Sequence, residues 1–418
     1  MGAGRLNLQR GLSDLEIREV LEEGLPPERF RNKRVLVLTP DQTRTAPLPR
    51  MVRLLIELAA QASRLDFMVA LGTHRPLRRR EIQSLYGIDE NDGALSGKTA
   101  FFNHRWDRPG TLVSTGVIDG SKIAGLTGGV FRDPMDITIN RKVFDYDLLL
   151  ILGPVFPHEV AGFSGGNKYL FPGISGGDFL HRFHWLGAVI TSWNIIGIKN
   201  TPVRKLIDEA ARMVDVERLC AAMVVTPENE LAGLFTGETA YAWSEAADLS
   251  SSLHIVRKRK PFHTVLARAS ENYDELWTAG KAMYKLEPVV EDGGTLIIYG
   301  KHIHAISHTW GRYIEETGYH VRDYFTGRLN EFTGVPLGVL AHLSHVKGLG
   351  TYENGVERPR INVVLATSIT EERCRHVNLG YLDPDKVRIE DYRGRESEGV
   401  LLVDGAGEVL YRLEETAE

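Results

Sequence analysis

The chain has 418 residues, too many for one ordinary hydrophobic core, so two domains are expected. Hydrophobic residues make up 43% and charged residues 25%, the balance of a globular protein, and the net charge of −5 argues against a nucleic-acid or membrane-surface partner. Two cysteines, Cys220 and Cys374, lie far apart with no CxxC partner, which excludes a disulfide scaffold or a cysteine zinc site and fits a reducing, cytoplasmic setting. The run Met1–Arg5 is polar, without the apolar core of a signal peptide, and no stretch reaches the ~20 apolar residues of a membrane helix.

In chain order, Ser13-Asp14-Leu15-Glu16 matches a capping box and starts a helix to about Glu23. The β-branched run Arg34–Leu38 reads as a strand ending at Thr39-Pro40-Asp41. Pro47–Ser63 reads as a helix with Val52, Leu55, Ile56 and Ala59 on one face, and Asp66–Leu71 as a strand ending at Gly72-Thr73-His74. Asp147–Leu152 is a continuous apolar strand, Pro202–Leu219 a helix, and Met223–Thr226 the start of another strand. The basic connector Arg257–Pro261 reads as a linker. Beyond it, Val265–Ala267, Gly294–Tyr299, Val335–Leu340 and Ile361–Ala366 read as strands and Asp274–Lys285 as a helix. Leu401–Leu410 carries a hairpin signal around Asp404-Gly405. The rhythm predicts an α/β protein of two α/β domains with mainly parallel sheets and an interdomain active-site cleft. Residues 1–258 form the expected cofactor-binding catalytic domain and 259–395 a substrate-closing domain, with the tail 396–418 packing on the first.

In open α/β sheets ligands collect beyond the carboxyl ends of strands, where Asp41, Arg44, His74, Arg75 and His158 fall. The densest segment runs from Pro157 through Gly165-Gly166-Asn167-Lys168-Tyr169 and Gly176-Gly177-Asp178 to His181 and His184. Its paired glycines suit either a backbone brought close to a ligand or a tight surface loop. Gly166-Asn167-Lys168-Tyr169 lacks the ending of a Walker loop, and no GxGxxG follows an early strand in register, so nucleotide hydrolysis and a dinucleotide fold are rejected. His181 and His184 share a helical face, but there is no HExxH, and Glu159 is the one nearby carboxylate that could serve a zinc hydrolase as base.

The series Asp41-Gln42-Thr43-Arg44, Gly72-Thr73-His74-Arg75, His158, Lys168 ten residues on and His184 sixteen beyond resembles the lactate racemase family. The likeness extends to Trp277-Thr278-Ala279-Gly280-Lys281. It implies a racemase or epimerase of a 2-hydroxy acid that works by hydride transfer through a 2-keto acid. It also implies a nickel-pincer nucleotide, a pyridinium mononucleotide whose ring carbon and two sulfurs hold nickel, supplied by dedicated biosynthesis proteins. By resemblance Lys168 carries this cofactor covalently, His184 is the protein ligand to nickel, and His74 and His158 are general bases on opposite sides of the substrate. Asp41, Gln42, Thr43 and Arg44 contact the cofactor, as does Trp277, while Arg44, Thr278 and Lys281 face the substrate.

The residue types suit this chemistry. Imidazole, with a pKa near ~6.5, both takes and gives a proton at neutral pH. Arginine matches a carboxylate with its two-pronged fork, and nickel accepts sulfur and imidazole nitrogen. The sequence departs from the family where Thr278 stands in place of glutamine and Trp277 in place of tyrosine. The shorter Thr278 and the polar run Lys301–Trp310, with His302, His304 and His308, point to a substrate larger or more polar than lactate, such as a sugar acid or a hydroxy diacid. These histidines equally suit a solvated cleft wall, and His104 reads as structural or at the cleft rim. A zinc hydrolase using the same histidines and a non-catalytic nucleotide- or metal-binding protein stand as the competing classes.

Overall fold

Sequence periodicity and capping account for the first unit of a computed structural model that describes residues 2–72, 74–88, 98–226 and 228–414. Its elements begin with β1 (Gly2–Leu6), α1 (Asp14–Gly24), β2 (Arg34–Thr39), α2 (Leu48–Leu58), β3 (Arg64–Val69), α3 (Arg79–Tyr86) and β4 (Phe101–Asn103). The antiparallel pair β5 (Leu112–Ile118) and β6 (Met135–Asn140) is joined by α4 (Gly120–Thr127), and β7 (Leu148–Pro154) follows. Next come the short strands β8 (Pro157–His158) and β9 (Gly162–Phe163), then α5 (Gly177–Ile190), α6 (Pro202–Arg212), β10 (Glu217–Val225), β11 (Leu231–Glu238) and α7 (Thr239–His254).

The expected capping box is present: the Ser13 side chain accepts from the Glu16 amide, and Glu16 Oε2 accepts from Ser13 N at 2.8 Å. The main sheet runs β1-β11-β10-β7-β2-β3-β4; β10, β7, β2, β3 and β4 pair in parallel, and β11 alone runs antiparallel, to both its neighbours β10 and β1. Every residue of β7 is buried, as are all of β2 and β3 after their first arginine, as a parallel sheet covered on both faces requires. Helix α2 is shorter than its sequence pattern, stopping at Leu58 before the turn at 59–61. Helix α6 likewise ends at Arg212.

The second unit contains β12 (Ile255–Lys258), β13 (Phe262–Ala269), α8 (Leu276–Ala279), α9 (Lys281–Leu286), β14 (Val290–Gly300), α10 (Gly311–Thr317), α11 (Arg322–Thr326) and α12 (Leu337–Lys347). The antiparallel pair β15 (Gly350–Glu353) and β16 (Val356–Pro359) precedes β17 (Asn362–Thr367), α13 (Glu371–His376), β18 (Gly380–Tyr381), β19 (Val400–Ala406) and β20 (Leu410–Leu413). Its sheet, β18-β17-β14-β13-β19, is parallel throughout.

Three local expectations are corrected. Leu401–Leu410 is no hairpin: Asp404 and Gly405 lie within β19, which pairs in parallel with β13, while β20, beyond the turn at 407–409, pairs in parallel with β12. Val335–Leu340 is not a strand, because Pro336 opens α12, whose run from Val339 to Val346 is buried. The basic connector is partly a strand, since Arg257 and Lys258 pair with Arg412 and Leu413.

The two compact units are 1–156, 163–180 and 199–253 on one side, and 157–162, 181–198 and 254–418 on the other. Segments holding His158 and His184 thus belong to the unit built mainly from the second half of the chain. The tail 396–418 contributes β19 and β20 to that same unit. No helix among the described residues is long and apolar enough to cross a membrane.

His104 is a structural pin of the first unit. It is fully buried, its Nε2 donates to Ser175 O at 3.1 Å, and its Nδ1 accepts from Asn140 Nδ2 at 3.0 Å. Burial pushes its pKa down to about 4. The unfolded chain therefore binds this proton more readily than the folded one. Stability is full above the unfolded pKa of ~6.5 and falls as pH drops toward about 4, at up to ~1.4 kcal/mol per pH unit. Urea unfolding of His104→Gln across that window is expected to show a shallower pH slope than the parent; an equal slope would remove His104 as its source.

Candidate active site

Strands β2 and β3 pair in register from Arg34–Arg64 to Thr39–Val69, so the loops that follow them leave the sheet side by side. Asp41 lies just beyond β2 and is buried, whereas the His74 side chain, beyond β3, is 53% exposed. The His74 Nδ1 to Asp41 Oδ2 distance is 2.6 Å, and Asp41 Oδ1 accepts from Thr43 N at 3.0 Å and Thr43 Oγ1 at 2.6 Å. Burial works to raise the pKa of Asp41. It is outweighed by the His74 charge and hydrogen bond, the Thr43 hydroxyl and the Arg44 guanidinium, which together hold it well below the usual carboxylate range. An ionised carboxylate only accepts, so His74 Nδ1 carries a proton, and in the neutral ring the lone pair is on Nε2. Arg44 extends from the same loop and lies 5.2 Å over the Phe156 ring. Gln42 is exposed, and Thr73 lies outside the described residues.

Lys168 belongs to a short 3-10 turn, Gly166–Tyr169, in the same unit. Gly165 and Gly166 have φ of 79° and 58°, in the region that favours glycine. A Cβ on Gly166 would sit 3.0 Å from the Trp243 ring, and one on Gly165 2.6 Å from Val155 Cγ2. The Asn167 side chain donates to Asp208 Oδ1 at 3.0 Å, but its buried Oδ1 has no hydrogen-bond partner among the described residues.

In the other unit His158 is buried, and the amides of Val160 and Ala161 both point at its Nδ1, at 3.1 and 3.4 Å. Glu159 Oε2 also lies 3.3 Å from that nitrogen. Two N–H groups converge on Nδ1, so in the neutral ring the proton is on Nε2. The two histidines are therefore held as opposite tautomers, with a lone pair at Nε2 of His74 and an N–H at Nε2 of His158.

His184 lies on α5 and packs edge-on against Phe183. His342 of α12 is close enough for their charges to interact. Burial, then His345 and His184, push His342 down to about 3, and burial pushes His345 down to about 4. Trp277 stacks on His342 with centroids 4.0 Å apart and neighbours Trp310 at 6.3 Å. Thr278 Oγ1 donates to Glu275 O at 3.0 Å, and Lys281 Nζ lies 4.7 Å over the Tyr273 ring.

The His-rich run after β14 is largely engaged locally. His302 Nε2 is 3.1 Å from Ser270 O, Lys301 pairs with Asp385 at 2.7 Å, and the exposed His308 lies 3.5 Å from Asp274. Among the described residues no group of three or more His, Cys, Asp or Glu side chains is placed to hold a metal ion.

Sequence reasoning missed two features. Beyond the cofactor contact that the resemblance implies, the Asp41 carboxylate is bonded to His74. The His342–His345 pair went unnoticed because Val335–Leu340 read as a strand; their spacing of three residues was the signal.

The model of the lactate racemase N-terminal domain matches residues 15–195. A lactate racemase of Thermoanaerobacterium thermosaccharolyticum is 22% identical over 308 residues, 71% of this chain and 67% of that protein. One of Lactiplantibacillus plantarum is 26% identical over 271 residues, 63% of this chain and 59% of that protein. A crystal structure of a Thermotoga maritima protein from a structural genomics consortium superposes with a TM-score of 0.87 at 32% identity, over 97% of this chain and 99% of that one. The lactate racemase apoprotein of T. thermosaccharolyticum superposes with a TM-score of 0.76 at 18% identity, over 97% of this chain and 94% of that one. With these likenesses beside the ordered motifs, residues 15–195 match the lactate racemase N-terminal domain, and the chain is similar over much of its length to lactate racemases, which are isomerases.

Proposed function

We propose that this protein is a nickel-pincer nucleotide-dependent racemase or epimerase of a 2-hydroxy acid, and that its substrate is larger or more polar than lactate. The observation that carries the reading is the Asp41–His74 pair, a histidine base oriented by a buried, ionised carboxylate beside Arg44. The residues present suit the cofactor. The orphaned Asn167 Oδ1 adjoins Lys168, and His184 offers an imidazole suited to nickel. Lys168 would hold the group covalently, His184 would ligate its metal, and the Asp41–Arg44 loop and Trp277 would contact it. When bound, the nucleotide supplies a reversible hydride acceptor. Its delivery requires biosynthesis proteins as partners.

The chain's own groups do the rest. Arg44 offers the substrate carboxylate its two-pronged fork. A 2-hydroxy acid becomes a flat 2-keto acid when its Cα hydrogen leaves with the electron pair and its hydroxyl proton goes to a base. The Nε2 lone pair of His74 is already oriented to take that proton. His158 serves the other enantiomer: with both nitrogens protonated, its Nδ1–H has Glu159 Oε2 at 3.3 Å as acceptor, and Nε2–H gives its proton to the returning alkoxide. One histidine gains a proton and the other loses one per turnover, and exchange with water resets both.

Three outcomes are expected. Intact-mass measurement of protein produced with the cofactor pathway should show an adduct that Lys168→Ala lacks; an adduct persisting in the variant would reassign the attachment. Asp41→Asn keeps the size of the side chain but removes the charge that selects the His74 tautomer. It should lower kcat by ~10²–10⁴-fold with little change in bound nickel, and an unchanged kcat would leave Asp41 as a cofactor contact. Thr278→Gln should shift preference toward lactate by ~1–3 kcal/mol relative to a four- to six-carbon polyhydroxy acid. If the parent enzyme already prefers lactate, the larger-substrate reading is wrong.

A further inference from the structure

The segment leading to Lys168 is gripped by two side chains that the proposed reaction does not use. Arg204, in the first turn of α6, is 3% exposed. Its guanidinium spends its hydrogen bonds on main-chain oxygens: NH2 donates to Phe163 O, and NH1 to Gly165 O at 3.3 Å. The carbonyl between them, Ser164 O, accepts from Trp243 Nε1 at 2.8 Å. The two clamping groups stack on each other, with Arg204 Cζ 4.1 Å from the Trp243 ring centroid. Three consecutive carbonyls are thus taken by one cation–π pair. From the next turn of α6, Asp208 holds the Asn167 amide.

This is an expensive way to pack a loop. A buried cation at a helix N-terminus opposes the helix dipole, and Arg204 Nε has no hydrogen-bond partner among the described residues. Burial pushes the guanidinium down to about 10. Apolar side chains of similar volume would fill the space as well, but they exert no preference on which way a carbonyl points. A fork and an indole N–H do. The Cβ-less Gly166 lets the indole approach the backbone closely enough to make its bond.

We propose that Arg204 and Trp243 are positioning residues: by capturing the carbonyls of Phe163, Ser164 and Gly165 together, they set the backbone that presents Lys168 for covalent attachment of the cofactor. The proposal rests on the reading of Lys168 as the attachment point. Neither side chain touches the reacting atoms, so their loss acts through the loop. Arg204→Lys, which reaches one carbonyl at most, should be milder than Arg204→Met, and Trp243→Phe removes a single hydrogen bond while keeping a ring in place.

The test uses full-length protein and two readouts. In cofactor-free protein, hydrogen exchange of the peptide covering residues 163–169 should rise by about tenfold in Trp243→Phe and Arg204→Lys, the scale of one lost hydrogen bond, below the melting temperature of each variant. In protein produced with the cofactor pathway, the fraction carrying the mass adduct should fall several-fold in the same variants, in the order Trp243→Phe, Arg204→Lys, Arg204→Met. A merely structural role predicts that adduct loss tracks the fall in melting temperature. Wild-type exchange rates and adduct levels in folded variants would overturn the positioning role alone. A wild-type protein that takes no adduct at Lys168 would overturn the attachment reading and the positioning role with it.

Discussion

Burying both faces of β2, β3 and β7 is the constraint on which the first unit depends. A parallel strand covered on both sides admits a polar side chain only where partners are built for it, as the Ala100 amide and the Tyr146 hydroxyl are for Asp66, so most charged groups wait for the strand ends. Thr39 to Asp41 and Val69 to His74 are those ends, and the register of β2 with β3 brings them out together. The Asp41 carboxylate can then be buried because three donors from Thr43 and His74 reach it. A buried carboxylate without them would take up a proton and lose its hold on the imidazole tautomer.

Much of this was legible in the sequence. The apolar runs Arg34–Leu38 and Asp147–Leu152 could be nothing but covered strands, and the polar residues after them stood where a sheet exposes its edge. The capping box at Ser13 is local chemistry, and local chemistry reads well. What failed was long-range. Leu401–Leu410 has the turn dipeptide of a hairpin, yet β19 and β20 pair in parallel with β13 and β12 rather than with each other. Val335–Leu340 is apolar enough for a strand, but Pro336 and the continuing run to Lys347 favour a helix that buries nearly every side.

The site shows the same division. Ordered motifs located Asp41, His74, His158, Lys168 and His184, because spacing survives in a sequence. Partnership does not. Whether an aspartate faces a cofactor or a histidine depends on a distance of 2.6 Å that no motif encodes. The tautomer of His158 is likewise set by the amides of Val160 and Ala161, whose side chains are irrelevant to the bond.

A common physical strategy links these places. At Asp41, at His158 and at the Lys168 loop, the chain fixes a polar side chain or loop through main-chain or short side-chain hydrogen bonds. Packing energy is large but indifferent to direction, while a hydrogen bond contributes only ~1 kcal/mol net yet weakens steeply when its angle is wrong. A reaction that must treat two enantiomers alike needs imidazoles held at set angles more than it needs added stability. The buried Arg204, costly as a cation and bonded to two carbonyls, is the clearest case of stability given up for orientation.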